Sequence, residues 1–356
     1  MLIADYKFNN EFDLFPVFNE GFIYTYEDII ENNITHRVLY SDTLPTSISF
    51  SEAMNLTECG YLALDNVTTL AEAFVGCESL QLIDGTDWNV SGIISFDMTF
   101  CYCSKLTDII GIENWNTTNL GNNSSRALVA TFGFCSSLKT INLSNWEVNY
   151  TVSCNSTFTT CTEVTEIFLP KKFSPINILA MFQNCNSLIE IHGLERIEHL
   201  TSGSNRRTFE NCYSLKKVSM PYLDASLATR LDTMFSNCTS LEEIDFSHIK
   251  INDSCIVTTF LNNCTSLKSI KISADSLSVI QSIVQQLPVA ISGSFTVIGA
   301  ENIMSELKEL LKSTNWNIVP LGRKLCTIKN NSSKGTIKSG GSIIACKIFG
   351  KLDFDE

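Results

Sequence analysis

The feature that most constrains this chain is a column of cysteines at nearly constant spacing. Cys77, Cys103, Cys135, Cys161, Cys185, Cys212, Cys238 and Cys264 follow one another at steps of 26, 32, 26, 24, 27, 26 and 26 residues. A fixed period of that size is the signature of stacked supersecondary units. Each cysteine sits in one pattern, Phe-x-x-Cys-x-x-Leu-x-x-Ile. The copies include Phe74/Cys77/Leu80/Ile83, Phe100/Cys103/Leu106/Ile109, Phe132/Cys135/Leu138/Ile141 and Phe158/Cys161/Val164/Ile167. They continue through Phe182/Cys185/Leu188/Ile191, Phe209/Cys212/Leu215/Val218, Phe235/Cys238/Leu241/Ile244 and Leu261/Cys264/Leu267/Ile270. In the last copy Phe260 stands one residue out of register, which suggests a small insertion. A degenerate copy is expected before the first, through Leu56, Cys59 and Leu62.

One unit is too short to bury its own apolar positions, whereas stacked units bury one another's. The spacing therefore predicts a solenoid in which Phe, Cys, Leu and Ile form four core columns. The intervening residues are mostly Asn, Ser, Thr, Glu and Lys, which turn the chain and face water. Segments such as Lys139-Thr140-Ile141-Asn142-Leu143 alternate apolar and polar, so a short parallel strand is expected there. The Phe-x-x-Cys segment is expected to be a short helical turn. Trp88, Trp115 and Trp146 follow the Ile by five or six residues and can each lie as a lid over a coil. The cysteine column reads as small buried hydrophobes. Side chains of one column point the same way, which disfavours disulfides between coils, and a linear column does not converge on a zinc ion.

The ends differ from the repeats. Residues 1–52 are rich in aromatics, with strands expected at 22–26, 35–40 and 47–50, and read as a β-rich capping or docking module. The solenoid spans 53–272. Over 273–320, apolar residues at helical spacing (Leu277, Ile280, Ile283, Val284, Leu287) precede Pro288. A strand around Phe295–Ile298, a second amphipathic helix with Ile303, Leu307, Leu310 and Leu311, and Trp316 complete a C-terminal cap. Residues 321–356 form a basic, hairpin-like arm. From Arg323 to Lys351 it carries seven basic residues and no acidic one. Arg323, Lys324, Lys329, Lys334, Lys338 and Lys347 are candidate docking residues. Such an arm either docks, by adding a strand to a partner or by seating on an acidic surface, or folds back as a hairpin on the acidic solenoid.

A net charge of -13 repels phosphate backbones and anionic lipid, so no nucleic-acid partner is expected. No run of 18 apolar residues exists for membrane insertion. The amino end lacks a basic segment, an apolar core and a small-residue cleavage site, so no export signal is expected. The search for chemistry finds no catalytic, cofactor-binding or metal constellation. His192 and His199 with Glu195 and Glu198 match no zinc spacing. His36 and His248 stand alone, and Glu242-Glu243 flanks core residues on a solvated face. No enzyme is expected; a carbohydrate-active solenoid ranks third among the readings.

The sequences Met181-Phe182-Gln183-Asn184-Cys185-Asn186-Ser187-Leu188 and Met234-Phe235 through Leu241, with Ile141 to Trp146, resemble the BspA-like class of bacterial leucine-rich repeats. The resemblance covers residues 70–272. It implies an α/β solenoid, a leucine-rich-repeat-like right-handed superhelix of about eight repeats on a parallel β-sheet, with a β-rich N-terminal module and an α/β C-terminal cap. It also implies a surface or adhesion protein that binds other proteins or host matrix. The ending over 274–320 is similar to the terminal cap of BspA-like proteins encoded by bacteriophages and prophages, and residues 1–50 have the general look of their leading segments. Together with the missing export signal and reduced buried thiols, this leads to an expected virion protein assembled in the host cytoplasm. Its expected partners are other virion proteins, a host-surface protein or a glycan, with a homo-oligomer set by the attachment site. A bacterial surface adhesin or an intracellular interaction scaffold is the alternative.

Overall fold

The computed structural model describes residues 1–9, 13–173, 175–200, 203–273, 277–288, 292–298, 304–312 and 314–321. At the amino end lie β1 (Leu2–Asn9), β2 (Val17–Phe18), β3 (Thr25–Glu31), β4 (Ile34–Tyr40) and β5 (Ile48–Ser49). β3, β4 and β1 pair antiparallel, and β1 pairs antiparallel with β6 (Leu56–Leu62). β6 then starts a parallel ladder with β7 (Leu82–Asp84) and β8 (Asp108–Ile110), so one sheet runs β3-β4-β1-β6-β7-β8. The N-terminal segment thus extends the solenoid sheet rather than forming a separate body.

A buried arginine holds this segment together. The Arg37 side chain is 3% exposed and forks onto Asp28, with Nε–Oδ1 and Nη2–Oδ2 both at 2.7 Å. Its Nη1 donates to the Leu14 carbonyl at 2.8 Å and pairs with Asp13 at 2.7 Å. The guanidinium also lies over the rings of Phe15 at 4.0 Å and Tyr26 at 4.5 Å. Burial opposes its charge, but the hydrogen bonds to Asp28 and Asp13 overcome that, so its pKa rises above the ordinary value.

The next coils carry β9 (Thr140–Asn142), the flank strand β10 (Val152–Ser153), β11 (Glu166–Phe168), the flank strand β12 (Pro175–Asn177) and β13 (Glu190–His192). β14 (Lys217–Ser219), β15 (Asp224–Ala225), β16 (Glu243–Phe246), β17 (Lys250–Ile251) and β18 (Ser269–Ser273) follow. The ladders β9-β11-β13 and β14-β16-β18 are parallel and in register, with Ile141, Ile167 and Ile191 aligned, and Val218, Ile244 and Ile270 aligned. The middle residue of each strand points into the core while its neighbours face outward, because strand side chains alternate. β8 and β9 are not hydrogen-bonded neighbours, nor are β13 and β14.

The Phe-x-x-Cys segment departs from expectation: it is a train of tight turns, not a helix. Its amide groups alternate in purpose. In the first full coil Ala73, Val75 and Cys77 donate within the coil to Leu70, Glu72 and Phe74. Leu70, Glu72, Phe74 and Gly76 instead donate to Ser95, Asp97, Thr99 and Cys101 of the next coil. Aiming successive amides both ways needs left-handed residues, and every coil has two. One column is Glu72, Met98, Ala130, Ser156, Ala180, Arg207, Thr233 and Thr259; the other is the residue just before each core Cys, including Gly76, Tyr102, Phe134 and Asn184. A helix directs all amides along its own axis and would leave the coils unconnected.

The same hydrogen-bond register corrects two details. Phe50 stacks on Phe74 at 5.5 Å and its carbonyl accepts from Cys77, so the early degenerate copy is Phe50/Ala53/Leu56/Cys59 rather than Leu56/Cys59/Leu62. Phe235 donates to the Phe260 carbonyl just as Phe209 donates to Met234, so Leu261 occupies the Phe column with no insertion. Phe260 packs edge-on against Phe235 instead, 5.1 Å away.

α-Helices among the described residues are confined to the carboxyl-terminal part, where α1 (Leu277–Val284), β19 (Gly293–Ile298), α2 (Met304–Leu311) and β20 (Trp316–Leu321) follow in order. β19 and β20 continue the parallel ladder from β18. The Gln286 side chain stands in for a further coil: Oε1 accepts from the Leu261 amide and Nε2 donates to the Val257 carbonyl.

Candidate interaction surface

The repeat columns make the scaffold and are closed to a partner. Phe74, Cys77, Leu80, Phe132, Cys135, Leu138, Phe182, Cys185, Leu188, Phe235, Cys238 and Leu241 are all buried, at 0–1% exposure. The Phe rings from Phe50 to Phe235 stack coil on coil with centroids 5.3–5.7 Å apart. Trp88, Trp115 and Trp146 stack alongside and donate Nε1–H to the Gly60, Gly85 and Ile112 carbonyls.

The cysteines are more than apolar filler. All eight thiols of the column donate to the Phe carbonyl of the preceding coil at 3.0–3.1 Å, from Cys77 on Phe50 to Cys264 on Phe235. A small donor fits where two coils nearly touch, and it gives each carbonyl a second partner beside the amide of its own coil, as Phe74 accepts from both the Cys77 amide and the Cys103 thiol. Burial pushes the Cys185 and Cys264 thiols up to about 12. Since the thiolate is the nucleophile, none of the twelve described cysteines, all buried, should react with a disulfide reagent in the native state at pH 8. Reagent titration before and after adding denaturant checks this; rapid native labelling of any of the twelve would contradict it. Cys326 and Cys346 lie outside the described residues.

Polar ladders bind the turn edge. The residue before Cys is Asn in the last four coils, and asparagine tolerates left-handed backbone best after glycine. Asn211, Asn237 and Asn263 each donate an amide to the asparagine of the preceding coil, at 2.7, 2.8 and 3.1 Å.

The outward face of the parallel strands is the broadest chemically varied surface. From β7 to β13 its outward positions are Leu82 and Asp84, Asp108 and Ile110, Thr140 and Asn142, Glu166 and Phe168, Glu190 and His192. These positions hold four carboxylates and no lysine or arginine. A shallow groove of about 280 Å³ lies where β8 and β9 part, lined by Asp108, Ile110, Glu113, Thr140 and Asn142 above core residues. From β14 onward the charges cancel between coils: Lys217 pairs with Glu243 at 3.1 Å, Lys268 with Glu242 at 3.0 Å and Lys271 with Asp245 at 3.2 Å.

The histidines sort accordingly. His192 stacks on Phe168 at 4.2 Å, with Nε2 3.3 Å from Glu166 and Nδ1 3.8 Å from Glu190. Glu166, Glu190 and His192 thus bring one ligand atom each within 4.8 Å of one another at the surface, a grouping set by the pairing of two coils rather than by spacing in the sequence. His248 stacks on Tyr222, His36 pairs with Asp5, and the strand pairing of His199 with Asp224 keeps it away from His192. Glu242 and Glu243 are each tied to a lysine and do not face one another across a groove. The candidate arm residues Arg323, Lys324, Lys329, Lys334, Lys338 and Lys347 lie outside the described residues. The acidic strand face and the amide ladder have no signal in any one repeat; aligning the copies on the core cysteine brings Asn184, Asn211, Asn237 and Asn263 into one column, and the structure adds that their amides bond in series.

Comparison with known families places the repeats. The family described as BspA type leucine rich repeat region matches residues 154–286, in six copies. The family described as Mycoplasma protein of unknown function, DUF285, matches residues 68–193. No curated protein matches the chain. Among the described residues no helix is long and apolar enough to cross a membrane. A leucine-rich-repeat solenoid of this kind suits protein interaction or surface binding, and function on such a scaffold sits in outward side chains rather than in the consensus. With the stacked Phe, Cys, Leu and Ile columns and these matches together, the chain is a BspA-like leucine-rich-repeat protein.

Proposed function

We propose that this protein is a non-enzymatic binding protein whose strand face between β7 and β13 receives a basic protein surface, and that it serves as a head or tail appendage of a bacteriophage particle. The observation that carries the binding reading is the acidic strand face, where among the described residues four outward carboxylates make no ion pair with a lysine or arginine while the later coils neutralise theirs. Like charges held in register on a rigid sheet repel one another, and a basic partner relieves that repulsion. The apolar Ile110 and Phe168 among them supply desolvated contact. The phage assignment is supported by the resemblance of the cap to phage-encoded relatives. The second reading is a bacterial surface adhesin or interaction scaffold, which would use the same face.

Quantitative mass spectrometry of purified phage particles from the source tests the assignment. Recovery of the chain at a defined copy number is expected. Its absence from particles, with presence in uninfected cells, would overturn the virion reading and leave the adhesin or scaffold. For the face itself, Glu166→Lys with Glu190→Lys should weaken binding to the recipient particle or cell roughly tenfold or more with an unchanged circular dichroism spectrum. Unaltered binding would place the contact elsewhere.

A further inference from the structure

Among the described residues, the outermost strands at the two ends are β3 and β20. β3 is the outermost strand of its sheet, all seven of its residues are exposed, and Ile29 and Ile30 stand 59% and 65% exposed on its opposite faces. A seven-residue edge strand is a template for another strand, and proteins normally shield such edges. This one carries no lysine or proline, the usual shields; its charged residues are Glu27, Asp28 and Glu31. At the other end β20 is the last strand of its sheet, and the basic arm follows it.

Charge is sorted along the chain in the same sense. Residues 1–104 hold sixteen acidic and two basic side chains, residues 105–321 nineteen and sixteen, and residues 323–351 none and seven. The net charge is therefore -14 over residues 1–104, -3 over 105–321 and +7 over 323–351. Within the arm, 342–349 reads Ser-Ile-Ile-Ala-Cys-Lys-Ile-Phe, a run of β-formers long enough to pair with all of β3.

We propose that residues 342–349 of one copy add as a strand to β3 of a second copy, joining molecules head to tail. The surface is distinct from the strand face assigned above, so the two can fail separately. Main-chain hydrogen bonds supply affinity, Ile29 and Ile30 supply apolar contact, and the arm's lysines meet Glu27 and Glu31. Length argues for a second copy. Fourteen strands lie side by side from β3 to β20, which sets the edges roughly 60 Å apart. The twenty residues before 342 span at most about 70 Å when fully drawn out, so pairing within one chain needs a nearly straight linker. A neighbour stacked end-on brings its β3 to the arm directly. Two β3 strands pairing with each other would instead set six carboxylates together. A contact between unlike surfaces does not close on itself at two copies, so it builds rows or rings.

The test uses the full-length chain in sedimentation velocity across a concentration series. Association that grows past the dimer with concentration and weakens with salt is expected. Glu27→Lys with Glu31→Lys should weaken it roughly tenfold or more, as should Lys338→Glu with Lys347→Glu, and mixing those two variants should restore it. Ile30→Cys should form an interchain disulfide with Cys346 on mild oxidation, mapped by peptide mass spectrometry. A chain monomeric throughout, a closed dimer indifferent to the arm substitutions, or a 30–346 disulfide within one chain would each overturn the proposal.

Discussion

Phe182→Ala is expected to lower the unfolding free energy by about 3–5 kcal/mol, the cost of emptying a well-packed aromatic site. Phe182 is fully buried near the middle of the column, between Phe158 at 5.5 Å and Phe209 at 5.4 Å, with interplanar angles of 9° and 5°. Its own carbonyl accepts the Cys212 thiol and its amide donates to Thr208 of the next coil. The cavity therefore opens where backbone and side-chain ladders share one residue, and the coils cannot close on it without breaking both. Urea denaturation should show a lower midpoint. Because coils couple mainly to their neighbours, hydrogen exchange should accelerate most around residues 158–209. Phe168→Ala is the control: its ring lies outside the core against His192, and about 1 kcal/mol or less is expected. Equal losses at the two sites would show that the column does not bear the stability argued for it.

Arg37→Leu is expected to cost about 1–3 kcal/mol in the N-terminal sheet, because it removes the charge-assisted hydrogen bonds that a guanidinium only 3% exposed makes to Asp28, whose side chain is 24% exposed. Asp28 would lose both oxygen contacts and the Leu14 carbonyl would lose a donor. Arg37→Lys should recover little of this, since an ammonium cannot make the planar fork or lie flat on Phe15 and Tyr26. Amide exchange should speed through β3 and β4 while β14 to β18 stay protected. Unchanged protection of β3 would mean that aromatic packing alone holds the strand. The same variant bears on assembly, since β3 is presented as an edge only while Arg37 ties Asp28 down.

How much of this was legible in the sequence follows from which residues repeat. Cysteine spacing and the apolar pattern determined the solenoid, the four core columns, the parallel strands and the cap with its two helices, because burial at a fixed period is a one-dimensional constraint that each copy restates. The Phe-x-x-Cys segment was misread as helical because its local pattern does not reveal where the amides go; they go to the next coil, a contact some 25 residues distant in Phe74 and Thr99. The thiol-to-carbonyl bonds were hidden for the same reason, and a cysteine between polar residues reads simply as a small hydrophobe.

Only the tertiary structure decided which surface residues stand together. Glu166, Glu190 and His192 belong to two coils, and become neighbours because β11 and β13 pair in register. The first turn, Phe50/Ala53/Leu56/Cys59, lacks the marker cysteine at its usual place and was found by its stacking on Phe74. Likewise the openness of β3 is a property of a sheet whose strand order runs β3-β4-β1-β6, with sequence neighbours set apart. The sequence alone determined what is buried, since each repeat carries its own hydrophobic code. What is exposed, and beside what, waited on the pairing of coils, because the outward strand positions change residue type from coil to coil and acquire meaning only from neighbours that folding supplies.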